Sequence, residues 1–330
     1  MIEISTILSY LPGFLISVFI VYSTYNYYQR KVAQKKWEKR FEELDIKNND
    51  HVDEIIKQIV GFDFPLEMFL SLNFAFYRTF CSPTISNVYK KTGIIAGDCE
   101  KRANDTDLLM HTWMDYGVDS EEGKASISHL NKIHGLHAKV TRNVDFLFVL
   151  CCLAADACDF CESYGSRKIQ YREQLAIWEF YKRVGARMLL KDIPNTLEDC
   201  RKFIECYTED NRQSRVNPDG GMLTEAFTKL VIHWYYALPE FVCRMAVSVL
   251  IYQMSETFHR KLDLAKPKPW EFALINGVLS IRKNVLKILP PRTVPYKVSD
   301  EVMNGFYGCP VSKETLSKVG PIDMLAKILD

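Results

Sequence analysis

Residues 101–137, KRANDTDLLMHTWMDYGVDSEEGKASISHLNKIHGLH, place two small groups of polar side chains on two consecutive predicted helices. Arg102 and Thr106 are four residues apart, so they project from one helical face about one turn apart. His134 comes at the end of the second predicted helix, and His137 follows three residues later. A cation, a hydroxyl and an imidazole can together hold a metal cofactor and act on a molecule bound to it. This stretch is therefore the predicted functional centre of the chain.

Each group also has a purely structural interpretation, and spacing alone does not decide between the two. Neutral imidazole is the commonest protein ligand for metals such as iron and zinc, and Gly135 would let a flat macrocycle approach the backbone beside His134. A histidine at a helix end can equally cap carbonyls or lie satisfied in the core. Arg102 and Thr106 can likewise belong to a solvated charged turn, in which Asp105 orients Arg102 or caps the helix.

The remaining sequence predicts helices throughout. No alternating run of β-branched residues typical of a strand stands out. Pro83 can start a helix that ends before Gly93, and Pro239 predicts a kink in a long apolar helix. Apolar residues at helical spacing occupy the segments 64–80, 142–164, 169–190, 223–254 and 271–288. The predicted fold class is all-α, with apolar helices that can wall in the site.

The N-terminal segment from Ile4 to Tyr22 is almost entirely apolar and just reaches the length of a bilayer-spanning helix, about 20 residues. A cleaved signal peptide is less favoured, because the chain lacks a basic start and a small-residue cleavage site. The lysines and arginines between Arg30 and Arg40 place the rest of the chain in the cytosol by the positive-inside rule. We divide the chain into a membrane anchor (1–28), a charged juxtamembrane helical segment (29–60) and a helical catalytic domain with an irregular tail (61–330).

Composition and missing motifs exclude several classes of protein. The net charge is +1, so no basic field argues for nucleic acid as a partner. The ten cysteines lack the spacing of a small disulfide scaffold, and Cys158 and Cys161 form a lone pair that we interpret as structural. A single Glu256-x-x-His259 is too little for a di-iron bundle. The zincin, P-loop, hydrolase-elbow, Rossmann and c-type haem motifs are all absent from the sequence.

Several longer segments resemble the MpaB-type oxygenases, a family that also includes the latex-clearing rubber oxygenase. They are spread over most of the chain from about Phe64 to Pro321, and they are long enough to make the resemblance fairly specific. The segments are LSLNFAFYRTFCSPTIS, KRANDTDLLMHTWMDYGVDSEEGKA, LNKIHGLH followed by NVDFLFVL, DIPNT, and the late GFYGCP and VGP. The predicted membrane-anchored, cytosol-facing arrangement also matches the branch of this family bound to the endoplasmic reticulum.

The resemblance implies a globin-like all-α bundle around a non-covalent b-type haem. His134 matches the family's proximal iron ligand, with His137 as the alternative ligand or its neighbour, and Arg102 and Thr106 match the distal pair. The implied reaction is the dioxygen-dependent cleavage or oxidation of a carbon–carbon double bond in a lipophilic, isoprenoid or prenylated substrate.

Two departures from the rubber oxygenase pattern keep other functions open. That enzyme has a distal lysine where this chain has Asp105, and it has a catalytic glutamate on the preceding helix. Here no carboxylate lies between Glu67 and Asp98. The alternatives are a non-catalytic, membrane-anchored module that binds a lipid or a partner protein, and a non-haem metal enzyme that uses His134 and His137.

Overall fold

The computed structural model describes residues 4–137, 139–210, 217–299, 316, 319 and 320, and throughout these residues the fold is helical, without a strand. The helices are α1 (Ile4–Glu43), α2 (Asn49–Gln58), a π-helix (Ile59–Asp63), α3 (Pro65–Phe80), α4 (Pro83–Thr92), α5 (Ile94–Gly97), α6 (Cys99–Tyr116), α7 (Glu121–Gly135), α8 (Asn143–Tyr164), α9 (Tyr171–Arg187), α10 (Leu197–Glu209), α11 (Pro218–Trp234), α12 (Glu240–Met254), α13 (Glu256–Lys261) and α14 (Pro269–Ile288). The all-α prediction is confirmed, whereas the globin-like arrangement stays a prediction.

Local capping chemistry sets the helix ends that position the candidate site. The Ser82 hydroxyl accepts a hydrogen bond from the backbone of Ile85, Pro83 occupies the first turn of α4, and Gly93 ends it with φ of +65°. Ser120 caps α7 in the same way, by accepting from the backbone N–H of Gly123. The predicted limits of α4 are therefore confirmed.

The long apolar helix predicted across residues 223–254 is wrong. The structure has two helices there, α11 and α12, and the chain between Tyr235 and Pro239 is not helical. Pro239 stands at the N-cap of α12 with φ of −58° and ψ of 140°. Proline lacks a backbone donor and disfavours the helical conformation of the residue before it, so a new helix starting here costs less than a kink.

Helix α3 lies at the centre of the fold and contributes to two apolar cores. The larger core includes Met68 and Leu72 of α3 together with buried residues of α2, α6, α8, α9 and α10. The second core includes Phe76 and Phe80, which pack on Phe227 of α11 with ring centroids 5.1 and 6.1 Å apart. Few positions of α3 reach solvent, which agrees with its prediction as a buried helix.

Helices α1 and α2 lie at the two predicted segment boundaries near the N-terminus. Helix α1 runs unbroken from Ile4 to Glu43, across the predicted boundary at residue 28. Val52, Ile55 and Ile56 of α2 are fully buried in the larger core. The division of the chain into three segments stays a prediction.

The membrane-spanning interpretation of the N-terminus stays a prediction. Within the described residues, no helix taken alone has the length and apolar character needed to cross a bilayer. One pair bent by 102°, Asn49–Asp63 with Pro65–Phe80, has them by length and composition only. Large apolar side chains between Leu11 and Val21 of α1 are exposed to solvent.

Two buried titratable groups on α6 give stability opposite dependences on pH. Burial lowers the pKa of His111 to about 4, against a hydrogen bond of its Nδ1 with the backbone oxygen of Asp107 (2.9 Å) that raises it. Burial raises the pKa of the Asp107 carboxyl to about 7, opposed by the positive charge of Arg102. Each group is therefore neutral at a pH at which the unfolded chain would charge it.

Replacing His111 with glutamine tests the acid side of this balance. Between pH 6.5 and about 4 the unfolded chain protonates this histidine and the folded chain does not, so its contribution destabilises the fold as pH falls. We expect the wild type to lose about 2 kcal/mol more unfolding free energy than His111→Gln between pH 7 and pH 5. Urea unfolding at both pH values measures this difference, and equal losses in the two proteins would contradict it.

Candidate functional site

A cavity of about 210 Å³ lies where α3, α4, α6, α7, α8 and α9 meet. Most of its lining is aliphatic or aromatic, with Leu109, Trp113, Leu150 and Leu153 among the walls. The four residues singled out by the sequence all line it: Arg102, Thr106, His134 and His137. The structure therefore brings the two predicted groups together in one mainly apolar chamber.

His134 lies in the last turn of α7, and its ring packs on the ring of Phe146 at 4.6 Å between centroids. The residue is partly exposed to solvent, which agrees with its place in the lining of the cavity. Burial lowers its pKa to about 3, helped by the positive charge of Arg102 and by His137. No described residue makes a hydrogen bond with its ring nitrogens. His134 is therefore a neutral imidazole with nitrogen lone-pair capacity for a ligand at physiological pH.

His137 follows in the turn after α7, where its carbonyl accepts hydrogen bonds from the backbone of Val140 and Thr141, both at 2.9 Å. Burial, and then the charge of Arg102, lower the pKa of this imidazole as well. Both histidines are partly exposed to solvent, and they differ in that His134 lies in the last turn of α7 whereas His137 lies in the turn after it.

Hydrogen bonds from both terminal nitrogens and two aromatic rings hold the guanidinium group of Arg102 in place. It donates to the Thr106 hydroxyl and to the Tyr89 hydroxyl (3.4 Å), and the Thr106 hydroxyl donates to the Arg102 carbonyl (3.0 Å). Its guanidinium carbon lies 5.1 Å from the centroid of the Phe76 ring and 5.7 Å from that of Tyr89. Cation–π contacts of this kind orient arginine without neutralising it. A fixed positive charge and a hydroxyl therefore face the same apolar space.

Asp105 is the carboxylate among the described residues that line the cavity, and it ties α6 to the end of the chain. It accepts from Lys101 Nζ at 2.8 Å and from the backbone N–H of Gly320 at 3.0 Å. Lys101 Nζ also donates to the Gly320 carbonyl at 2.9 Å, and His129 Nε2 lies 2.7 Å from the carbonyl oxygen of Val319.

Val319 and Gly320 thus form part of the wall of the cavity. The VGP segment belongs to the family resemblance, but no spacing in the sequence indicates that it lies at the cavity. Residues more than 200 positions apart leave no periodic signal that predicts such a contact. The rest of the late tail, including the GFYGCP segment, lies outside the described residues.

The residues present match a haem in chemistry, while the measured space is small. A neutral, partly exposed imidazole, an apolar lining and a fixed cation are suited to an iron porphyrin. The cavity of about 210 Å³ is smaller than the roughly 300 to 1,000 Å³ of pockets that enclose drug-sized ligands. A porphyrin therefore enters only if the walls move apart. The chemistry of the lining residues suits a haem better than the volume of the cavity does.

The other candidate metal motifs do not assemble into sites. No cluster of three or more histidine, cysteine or acidic side chains suited to a metal ion occurs in the described part of the chain. His259 Nε2 pairs with the Ser248 hydroxyl at 3.1 Å. Burial raises the pKa of both Cys158 and Cys161, which agrees with inert structural thiols.

Comparison with known proteins identifies similar oxygenases. No family model matches the chain. It is 24% identical over 304 residues to the ER-bound oxygenase mpaB' of Penicillium brevicompactum, which covers 88% of this chain and 72% of the relative. It is 26% identical over 182 residues to the ER-bound oxygenase mpaB of Penicillium roqueforti (strain FM164), which covers 54% of this chain and 61% of the relative.

A third relative, the ER-bound oxygenase mpaB of Penicillium brevicompactum, is 26% identical over 178 residues, or 52% of this chain and 45% of the relative. The described residues are thus helical with a mainly apolar cavity among them, and the relatives that the chain resembles are named oxygenases. The similarity confirms the resemblance found in the sequence and supports membership of the MpaB family. All three relatives are named as bound to the endoplasmic reticulum.

Proposed function

We propose that this protein is a membrane-anchored haem oxygenase that acts on a carbon–carbon double bond of a lipophilic, isoprenoid-type substrate. The observation that carries the proposal is the shared cavity. It joins a neutral His134 to the fixed pair Arg102 and Thr106 within mainly apolar walls. The similarity to oxygenases along 88% of the chain supports the same class of reaction.

In this proposal His134 holds a non-covalent haem b, with His137 as its neighbour or substitute. The haem, when bound, supplies the binding and activation of dioxygen. Arg102 would supply positive charge and hydrogen-bond donors beside the bound group, and Thr106, which accepts from Arg102, would hold that guanidinium in place. Stacking of Arg102 on Phe76 and Tyr89 fixes these donors before the substrate arrives. The apolar walls keep water out and orient an alkene chain.

The proposed location is the membrane of the endoplasmic reticulum, with a single N-terminal span and the main domain in the cytosol. The apolar exposed face of α1 and the basic residues after Tyr28 support this topology. A lipophilic alkene partitions into the bilayer, so an anchored domain meets it at a high local concentration.

The absorption spectrum of the purified full-length chain tests the proposal. After expression with a haem precursor and extraction in mild detergent, we expect a Soret band and stoichiometric iron. Absence of the band after reconstitution with haemin would overturn the haem assignment. Stoichiometric zinc, manganese or non-haem iron in that sample would support a metal enzyme based on His134 and His137.

One observation favours a second candidate, a non-catalytic module that binds a lipid. The cavity is small and mostly apolar, and the sequence lacks the distal glutamate of the rubber oxygenase. This candidate predicts that lipid co-purifies with the protein, and that no dioxygen-dependent product forms from any prenyl lipid even if haem binds.

Replacing Arg102 with glutamine tests the distal role. Loss of one preorganised donor at a developing oxyanion lowers turnover by about 10²- to 10³-fold, so we expect a fall of that order in the rate of oxygen consumption with substrate. Haem content and the wild-type fold should persist, because Arg102 is in the cavity wall and is not the proposed ligand. Arg102→Lys, which keeps the charge without the planar fork, should recover part of the rate. An unchanged rate in Arg102→Gln would remove Arg102 from the reaction.

A further inference from the structure

Helix α14 presents a continuous apolar stripe to solvent. Five residues of α14 with spacings of four, four, three and four lie on one helical face, a sixth follows at the extended C-cap, and each is between 40% and 65% exposed. They are Trp270, Leu274, Val278, Ile281, Val285 and Leu289. Regular spacing of this kind makes a stripe about 100° wide, which is the form of an amphipathic surface and not of scattered exposed residues.

The opposite side of α14 is fixed to the protein, so the stripe is turned outward by packing. Ile275 is buried against Met245 and Val249 of α12. The Phe272 ring lies 5.4 Å from that of Tyr252, and Arg282 donates to the buried carboxylate of Glu67 at 2.7 Å. An exposed apolar face on a firmly anchored helix requires an apolar partner.

The stripe ends beside the apolar part of α1. Arg30 of α1 donates from Nε to the carbonyl of Leu289 and from a terminal nitrogen to that of Pro290, both at 3.0 Å. Most of the exposed large apolar residues in the described part of α1 lie between Leu11 and Tyr28, just before Arg30, and Val32 lies just after it. The two exposed apolar surfaces are therefore joined at Arg30.

Charge around this junction is basic. Arg30 of α1 contacts the C-terminal end of the stripe with Arg292 and the acidic Asp63 near it, and Lys283, Lys287 and Lys31 are the neighbouring basic residues in sequence. The only acidic residue within α14 is Glu271, whose carboxylate accepts from the backbone of Lys268 at the opposite end. A helix with an apolar face, a tryptophan and flanking lysines has the features of one that lies in a membrane interface and attracts anionic lipids.

We propose that α14 is a second membrane contact, which lies in the interface of an anionic bilayer and holds the cavity domain against it. This inference extends the membrane association of the proposed function. A bilayer accounts for the apolar stripe, the basic flank and the junction with α1 at once. A protein partner or a second copy of the chain explains the stripe alone.

Quenching of tryptophan fluorescence by brominated phospholipids tests this contact in the full-length chain. Trp270 is exposed, whereas Trp113 and Trp178 are buried. In vesicles of phosphatidylcholine and phosphatidylserine with brominated acyl chains, we expect Trp270→Phe to lose a distinct quenched component of the emission. In that variant, Val278→Trp on the stripe should restore it, and Ser280→Trp, exposed outside the stripe, should not.

Equal quenching of wild type and Trp270→Phe would overturn the proposal, as would restoration by Ser280→Trp. A stripe covered by a second copy would instead give a dimer in detergent that Ile281→Glu converts to a monomer, which would also overturn it. The readout requires neither haem nor turnover, so the outcome is separate from that of the haem assignment.

Discussion

Replacing His134 with alanine is expected to abolish haem binding while the helical fold persists. The imidazole is the only protein group assigned to hold the iron, and removal of a single axial ligand leaves a porphyrin with apolar contacts alone. The side chain lies at the end of α7 and makes no hydrogen bond to a described residue, so its loss leaves no buried partner unsatisfied. Absorption at the Soret wavelength should fall to background while far-ultraviolet circular dichroism stays at the wild-type level.

The matched control is His137→Ala, three residues away in the same cavity. If His134 is the ligand, this variant should keep the Soret band. Imidazole added to His134→Ala should occupy the space left by the side chain and restore part of the absorption. A His134→Ala protein that binds haem as the wild type does, together with loss of the band in His137→Ala, would transfer the assignment to His137.

The sequence predicted the composition of the site more fully than its shape. Arg102 and Thr106 meet because helical periodicity alone places residues four apart on one face. The end of α7 at Gly135 follows from local signals, and that end positions His134 in the lining. The packing of His134 on Phe146 and the stacking of Arg102 on Tyr89 depend on how helices pack, which spacing does not encode.

Predictions failed in two situations. In one, a residue such as proline is compatible with two backbone conformations; in the other, the two residues in contact are far apart in the sequence. Pro239 is compatible with a kinked helix or with a new helix, and the choice depends on packing around α12. The contact of Asp105 with Gly320 joins residues 215 positions apart, and no local pattern indicates it. The segment 271–288 was expected only to be helical, because the side of α14 that faces solvent depends on its packing against α12.

Replacing Asp156 with alanine is expected to cause the largest loss of stability. Its carboxylate accepts from Arg78 Nε at 2.7 Å and from a terminal nitrogen at 2.8 Å, and both side chains are buried. The pair joins α3 to α8, the two helices at the centre of the larger core. Removing one partner leaves an uncompensated buried charge, which costs about 3 to 5 kcal/mol. Urea unfolding in detergent measures the loss.

A bidentate pair at the surface provides the control. Arg40 donates to both oxygens of Glu54 at 2.8 and 2.7 Å, yet both side chains are well exposed. Glu54→Ala should cost less than about 1 kcal/mol, since water solvates the freed arginine. The two pairs have the same geometry, so a difference between the two losses measures the contribution of burial. Equal losses would mean that water reaches Arg78 once its partner is gone.

The double variant Arg78→Met, Asp156→Leu separates charge from packing. Apolar side chains of similar size in place of a buried pair are often neutral or stabilising. We therefore expect this variant to recover most of the stability lost in Asp156→Ala, although neither polar group remains. A double variant as unstable as the single one would show that the hydrogen-bonded geometry itself, and not the need to neutralise Arg78, holds α3 against α8.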